Sequence, residues 1–274
     1  FLESNGMGNG LNLEFQQAGK TLAWRAVGTF KRSGDKRTSK YFLRNTGNQE
    51  ANIALQLEKT WNKKWLSSLY FSSFNAKFGV LRGSHIGNLT DLKDALGRDV
   101  PFYTEDNFSY SIASPHQKVN HHLLKFHTKY NISDEQWLEL TYAGQYNLRK
   151  EFDVRRSGRS EIPALSLEQM SNFIEVKYQN YLPKDWEIKT GGQLNRVNNS
   201  NLPKTGILPL MPDYISYEYG LVGTISKSFE NTSFEFGGRY DFENRNVAAI
   251  SITVPREIIR FQNDYHNLSA MAGI

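Results

Sequence analysis

Apolar and polar side chains alternate every two residues through most of this chain, and this period constrains its fold more than any other feature. In the segment WLELTYAGQYNL, at 137–148, the residues of one face are apolar or aromatic: Leu138, Leu140, Tyr142, Tyr146 and Leu148. The residues of the other face are mostly polar: Glu139, Thr141, Gln145 and Asn147. A period of two is that of a β-strand, whose successive side chains point to opposite faces. The segment is therefore predicted to be a strand with one apolar and one polar face.

Roughly eleven segments share this period, and almost no part of the sequence has helical periodicity. Aromatic residues make up 13% of the chain, which favours strands over helices. The predicted strands are 10–17, 20–32, 41–59, 64–75, 117–131, 136–150, 166–182, 185–197, 214–228, 232–245 and 259–274. Many span about 12–16 residues, whereas strands of soluble proteins average about 5–6. At ~3.3 Å per residue, such strands are long enough to cross a bilayer at a tilt.

Short and long connections between these strands alternate from residue 59 onward. The short ones are polar turns at 62–65, 133–136, 183–186 and 230–233. The long ones are rich in Gly, Pro, Asn and charged residues, at 76–116, 151–165, 198–213 and 246–258. Because alternate connections of an up-and-down sheet lie at the same end, all the long loops are predicted to share one end. This asymmetry is typical of bacterial outer-membrane barrels.

Alternation alone leaves two interpretations open. The apolar face could be the core of a soluble β-sandwich, or it could contact lipid while the polar face lines a hydrated lumen. Aromatic residues at the predicted strand ends favour the second, because Tyr and Trp prefer the bilayer interface: Trp61, Trp65, Trp137, Tyr181, Trp186 and Phe229. Together with strand length and one-sided loops, they predict an all-β, up-and-down antiparallel transmembrane β-barrel.

Composition excludes several other classes of protein. No apolar run reaches the ~18–20 residues of a membrane-spanning helix. The chain has no cysteine, which excludes disulfides and cysteine-based zinc sites. Its net charge is +5, and basic residues are interspersed with acidic ones along the chain. That arrangement does not predict a nucleic-acid partner, which selects a concentrated basic surface. We expect no cofactor.

Five stretches resemble the TonB-dependent receptors of Gram-negative bacteria, especially those of the Bacteroidetes. They begin with FKRSGDKRTSKYFLRNTGNQEANIALQLEKTW at 30–61 and GVLRGSHIGNLTDLKDAL at 79–96. FSYSIASPHQKVNHHLLKFHTKY at 108–130 and GQYNLRKEFDVRR at 144–156 follow, and FEFGGRYDFENRNV at 234–247 is the last. The stretches cover most of the chain, although none is a chemical signature by itself.

The resemblance implies a 22-stranded barrel in the bacterial outer membrane, plugged by a separate N-terminal domain. With roughly eleven strands, residues 1–274 are expected to be about half of such a barrel, an internal piece of a longer protein. The plug domain and the TonB box are then absent from this chain. Receptors of this family import scarce nutrients such as ferric siderophores, haem or cobalamin. The implied partners are outer-membrane lipid and lipopolysaccharide, a small metal-chelate ligand, and TonB through the missing N-terminal region.

Two alternatives differ in function from this receptor. A passive porin-like or adhesin barrel would have no plug. A barrel enzyme, such as an outer-membrane protease or lipase, would need a Ser–His or carboxylate–His arrangement at its rim, and the sequence shows none. We therefore predict that the chain is not an enzyme and that it has no catalytic residues.

The long loop at 76–116 supplies the candidate ligand contacts, which are Arg82, His85 and His116. No metal site is predicted, because His121 and His122 fall on opposite faces of one strand and His127 shares its side with lysines. The alternating charges at 149–156 are predicted to be the self-paired base of an external loop, since no nucleophile and base accompany them.

Overall fold

A computed structural model describes residues 2–84, 86, 88–155 and 158–274 of the chain. Strands hold 67% of the residues and helices 6%, so the all-β prediction is confirmed. The strands are β1 (Leu2–Glu3), β2 (Gly8–Ala18), β3 (Leu22–Ser33), β4 (Lys36–Arg37), β5 (Phe42–Leu43), β6 (Asn48–Asn62), β7 (Trp65–Gly79), β8 (His116–Asn131), β9 (Gln136–Phe152), β10 (Leu165–Leu182), β11 (Trp186–Asn201), β12 (Asp213–Phe229), β13 (Thr232–Ile250) and β14 (Ile258–Gly273).

Twelve of these strands form one antiparallel sheet in which neighbours in space are neighbours in sequence. The strands β4 and β5 leave this order, because they form a small hairpin inside the connection between β3 and β6. The sheet contains no crossover, which is the up-and-down topology that the alternating connections predict.

The two ends of the sheet differ in the length of their connections. At the turn end, two to four residues join consecutive strands, at 19–21, 63–64, 132–135, 183–185 and 230–231. Local chemistry sets these turns: the Asn62 side chain accepts a hydrogen bond from the Lys64 amide at 2.8 Å. At the loop end, a four-residue turn at 4–7 joins β1 to β2, and the other connections are longer: 34–47, 80–115, 153–164, 202–212 and 251–257. The predicted one-sided distribution of long loops is therefore observed.

The register between strands places the apolar residues of all strands on the same face. One lateral row runs without a polar interruption across nine strands: Trp24, Leu57, Leu69, Phe126, Tyr142, Ile174, Leu194, Tyr219 and Phe242. We call this side of the sheet the apolar face and the opposite side the polar face. A shift of one residue in any pair of strands would exchange the two faces, so the common pattern excludes such a shift.

Among the described residues, no second layer covers the apolar face. Leu221 and Phe236 on this face are 64% and 57% exposed. The hydrophobic residues that are fully buried lie in the loops or near the loop end instead: Phe42, Ala76, Ile112 and Val247. A β-sandwich would bury the rows that are exposed here, so the described residues form a single sheet and not the two packed sheets of a sandwich. An apolar face of this extent marks a surface that contacts lipid or other protein.

Helical structure is confined to the loop end. The helix α1 (Leu89–Leu96) begins at Asn88, whose side chain accepts a hydrogen bond from the Asp91 amide at 2.9 Å. Single 3₁₀ turns occur at Arg82–Ser84, Arg159–Glu161 and Pro203–Thr205. Within the residues that the structure describes, no helix combines the length and the apolar character needed to cross a membrane.

Several strand boundaries differ from the sequence prediction. The predicted strand 41–59 begins only at Asn48, because residues 34–47 fold into a loop that contains β4 and β5. At the loop end the strands run further than predicted, and β9 reaches Phe152. Glu151 and Phe152 therefore belong to the strand, as Arg149 and Lys150 do, and the predicted self-pairing of the charges is seen between Arg149 and Glu151 within the strand. The cause is continued pairing with β8 and β10, which sequence alternation within one segment does not reveal.

The described sheet does not close on itself. The final strand β14 pairs with β13 along one edge, and most of β2 pairs with β3 alone. Twelve strands with two open edges agree with the prediction of a partial barrel.

Candidate ligand-binding face and loop platform

The polar face holds the ion pairs of the long strands. Among the described residues, seven pairs lie on it: Arg25–Glu14, Lys129–Glu139, Arg149–Glu151, Lys177–Glu175, Lys189–Glu187, Arg239–Asp241 and Arg245–Glu243. Five of the seven join residues that are two apart in one strand, which have their side chains on the same face. The polar face is therefore charged but locally neutralised, as suits a surface that contacts water.

An aromatic and cationic cluster lies on the polar face near the loop end of β12 to β14. The Arg245 guanidinium is 5.7 Å from the centre of the Tyr214 ring and 5.9 Å from that of Tyr265. Its Nε donates a hydrogen bond to Glu243 at 2.8 Å. The Tyr214 hydroxyl accepts a hydrogen bond from Gln169 at 3.3 Å. This cluster offers a ligand aromatic surfaces, a cation and hydrogen-bonding groups together.

Two of the external loops, 34–47 and 80–115, are joined into one unit that we call the loop platform. Asp35 is 1% exposed, and its carboxylate accepts hydrogen bonds from the Asn45 amide at 2.7 Å and from the Arg44 guanidinium at 3.3 Å. The Asn45 side chain donates to the Val80 and Pro115 carbonyls at 2.9 and 2.6 Å.

The same side chain accepts a hydrogen bond from the Ala113 amide at 2.8 Å. A Cβ atom at Gly79 would lie 2.2 Å from the Asn45 carbonyl oxygen, so this approach of the two loops requires glycine. Buried hydrogen bonds therefore hold the platform together.

Two of the three residues predicted to contact a ligand lie in or beside this platform. The Arg82 guanidinium is 4.7 Å from the centre of the Tyr103 ring, in the loop 80–115. His116 is 8% exposed at the start of β8, where its ring stacks on Phe152 with centres 4.4 Å apart. Its Nδ1 lies 3.0 Å from the Ala113 carbonyl oxygen. His85 lies outside the described residues. Ligand contact by these three residues stays a prediction.

The remaining histidines that the sequence draws attention to are separated by the strand geometry. His121 lies on the polar face, with Nε2 3.3 Å from the Gln145 side-chain oxygen. His122 lies on the apolar face and stacks on Tyr146 with ring centres 6.0 Å apart. In the part of the chain that the structure describes, no three His, Cys, Asp or Glu residues are grouped to hold a metal ion.

Sequence reasoning missed the residues that build the platform and the polar-face cluster. Asp35 and Asn45 look like ordinary loop residues, and their partners are up to 70 positions away. Tyr214, Arg245 and Tyr265 come from three strands, and only the register brings them together. The one local signal was glycine, at Gly79, beside the close approach of the two loops.

Comparison with known proteins gives a likeness in structure but not in sequence. No protein-family model matches this chain, and a search of curated proteins finds no relative. Among solved structures, the open form of the ferric-catecholate import receptor Fiu from E. coli K12 matches with a TM-score of 0.61 and 11% identity. The match covers 97% of this chain and 49% of that receptor.

Two further solved structures match over the same range. The ferric yersiniabactin uptake receptor FyuA from Yersinia pestis has a TM-score of 0.52 and 10% identity, covering 97% of this chain and 42% of its own. The copper transporter OprC has a TM-score of 0.52 and 11% identity, covering 96% and 39%. The chain thus spans less than half the length of these structures. They are TonB-dependent receptors, so the predicted resemblance to that family is confirmed at the level of fold.

Proposed function

We propose that this chain is about half of the barrel wall of a TonB-dependent outer-membrane receptor. The observation that carries the proposal is one sheet with an exposed apolar face and a polar face that holds seven ion pairs. A barrel wall in a membrane needs that division, with lipid on one side and a hydrated lumen on the other. A second support is the placement of all long loops at one end.

The imported ligand in this proposal is a small metal chelate, such as a ferric siderophore, haem or cobalamin. It would enter at the loop end, past Arg82, His85 and His116, and meet the cluster of Tyr214, Arg245 and Tyr265 on the polar face. Aromatic rings and a guanidinium suit an anionic chelate with flat ligand groups. Outside these 274 residues, the remaining strands, a plug domain and a TonB box would complete the receptor. The surrounding partners would be outer-membrane lipid and lipopolysaccharide.

Uptake by the full-length protein tests this proposal directly. A strain lacking the gene would be supplied with a radiolabelled ferric siderophore, haem or cobalamin, with and without the gene on a plasmid. We expect saturable uptake of one ligand that requires the gene and is abolished by removal of TonB or by a protonophore. A passive porin would give uptake that neither saturates nor responds to the protonophore, and that result would reject the receptor.

Substitutions in the loop at 80–115 test the predicted ligand contacts. Arg82→Ala, His85→Ala and His116→Ala are each expected to weaken chelate binding by about tenfold, as loss of a charge-assisted or aromatic contact does. Lys63→Ala at the turn end is the control and should leave binding unchanged. If His85→Ala or His116→Ala instead abolished a hydrolytic activity of the full-length protein, the enzyme alternative would replace the receptor.

A further inference from the structure

Three lysines stand side by side on the apolar face at its loop end. Lys77 of β7 is the cross-strand partner of Lys118 of β8, and Lys118 is the partner of Lys150 of β9. We call these three residues the lysine row. Directly opposed side chains of adjacent strands have Cβ atoms about 4.5–5.5 Å apart, so the three lysine side chains leave the sheet as neighbours.

The position of the lysine row on the sheet is specific. On β9 the apolar-face side chains from the turn end onward run from Leu138 to Leu148, and Lys150 comes next. On β7 the same face carries Leu69 and Phe71, followed by serine, asparagine and then Lys77. The row therefore lies just beyond the apolar residues, on the side of the external loops. If the apolar residues contact acyl chains, the row lies at the level of the lipid headgroups.

The lysine row lacks the partners that cations have on the polar face. None of its three ammonium groups forms an ion pair within the described chain. Lys77 donates a hydrogen bond to the Ile112 carbonyl at 2.5 Å, and the Lys118 ammonium lies 5.3 Å from the centre of the Phe152 ring.

Lys118 has a lysine directly opposite it on each of the two neighbouring strands. Opposed like charges of this kind destabilise a sheet unless an anion lies between them.

A cavity of about 280 Å³ adjoins the row. Besides Lys77 and Lys118, its lining includes amide side chains and an aromatic ring on the same face: Gln49, Asn75, Asn120 and Phe30. Asn120 donates a hydrogen bond to Asn75 at 2.6 Å, which holds the two amides together. Phe30 is 49% exposed and faces the same space. The cavity therefore joins cations, hydrogen-bonding amides and an apolar wall.

We propose that the lysine row and this cavity bind the phosphorylated sugar headgroup of an anionic lipid in the outer leaflet. Phosphate groups would supply the negative charge that pairs with the three lysines, and the amide side chains would form hydrogen bonds with sugar hydroxyls. Phe30 would contact the start of an acyl chain. This inference rests on the proposed function in one respect only, that the apolar face contacts lipid.

Binding of a fluorescent lipid A that carries both phosphates tests the inference. The full-length protein, purified in detergent, would be titrated with this lipid and followed by fluorescence anisotropy. The variant K77Q/K118Q/K150Q is expected to bind about a hundredfold more weakly, because each lysine near a lipid surface contributes about fivefold. The control K20Q/K63Q/K64Q removes the same charge at the turn end and should bind within about twofold of the wild-type protein.

Three results would overturn the inference. They are unchanged lipid affinity of K77Q/K118Q/K150Q, equal binding of dephosphorylated lipid A by the wild-type protein, and displacement of the lipid by an equal concentration of inorganic phosphate. The last would identify a site for free anions. If the triple variant does not fold, as judged by loss of its heat-modifiable band, K118Q replaces it. Lys118 is exposed, and about fivefold weaker binding is expected.

Chelate uptake, measured in the same strains, separates this inference from the proposed function. If substitution of the lysines weakens lipid binding but the wild-type protein takes up no chelate, the transport function is rejected and the lipid site is retained. If chelate uptake is normal and K77Q/K118Q/K150Q binds the lipid as tightly as the wild-type protein, only the lipid site is rejected.

Discussion

The polar face and the lysine row both contain lysines, but the lysines of the two regions differ in whether they have an acidic partner. On the polar face, Lys177 and Lys189 each have a glutamate two residues away in the same strand. In the lysine row, Lys118 has another lysine on each side and no acid partner among the described residues. The difference teaches that acidic residues of the chain itself neutralise the paired cations of the polar face, whereas the row is arranged for an external anion.

The largest expected effect comes from exchanging the character of the two faces. Leu194→Arg places a guanidinium in the middle of the lateral apolar row. We expect it to lower the free energy of unfolding of the full-length protein in lipid vesicles by about 2–4 kcal/mol, the cost of a cation facing mid-bilayer lipid. Urea titration followed by tryptophan fluorescence measures this change.

The neighbouring Gln193→Arg is the matched control, because residue 193 lies on the polar face of the same strand. It should change the unfolding free energy by less than about 1 kcal/mol. Equal losses from the two substitutions would contradict the assignment of the apolar face to lipid.

A smaller and local effect is expected in the loop platform, where a buried asparagine holds two loops together. Asn45→Ala removes three side-chain hydrogen bonds, to Val80, Ala113 and Pro115. It leaves the Ala113 amide without that partner, which costs about 1–3 kcal/mol. Hydrogen exchange of the amides at 80–115 should accelerate by about tenfold or more, while exchange in the strands stays unchanged.

Asn88→Ala serves as the comparison within the same loop. It removes only the cap of α1, at a cost of about 1 kcal/mol, so faster exchange should be confined to 89–96. Exchange that spreads over the whole loop in Asn88→Ala, or none in Asn45→Ala, would show that the platform is not held by Asn45.

The smallest expected effects are changes in unfolding free energy when a single cation is removed, and they compare a paired cation with an unpaired one. Arg245→Gln removes a partly exposed ion pair and should lower the unfolding free energy by no more than about 1 kcal/mol. Lys118→Gln removes one member of a repelling row and should cause no loss, or a gain of a few tenths of a kcal/mol. Both are measured in vesicles of zwitterionic lipid, which supply no anionic headgroup. Greater destabilisation by Lys118→Gln would mean that the row is satisfied within the protein.

Much of the sheet could be predicted because its information is local. The alternation of Leu138, Leu140 and Tyr142 lies within one segment, and the structure confirms that strand and its direction in an up-and-down sheet. The strand ends at the loop side were placed too early, at 75 for β7 and 150 for β9, against Gly79 and Phe152. Pairing with adjacent strands extends them, and a pattern within one segment does not contain that information.

The candidate sites were predicted less completely, for the same physical reason. The loop that contains Arg82 was found from its composition and length. Its attachment through Asp35 and Asn45 was not, because the hydrogen bonds from Asp35 to Ser109 and from Asn45 to Pro115 join distant residues. Lys77 was assigned to a loop, so its place beside Lys118 could not be foreseen.

The sequence by itself determined which side chains share a face, since a strand sends residues two apart to the same side. It also determined most of the ion pairs of the polar face, such as Arg239 with Asp241, because their partners are two residues apart. Only the tertiary structure decided the register of the strands, and with it the lysine row, the polar-face cluster and the exposure of the apolar face. These features depend on how far each strand is shifted along its neighbour, and the geometry of the turns and the pairing of whole strands set that shift.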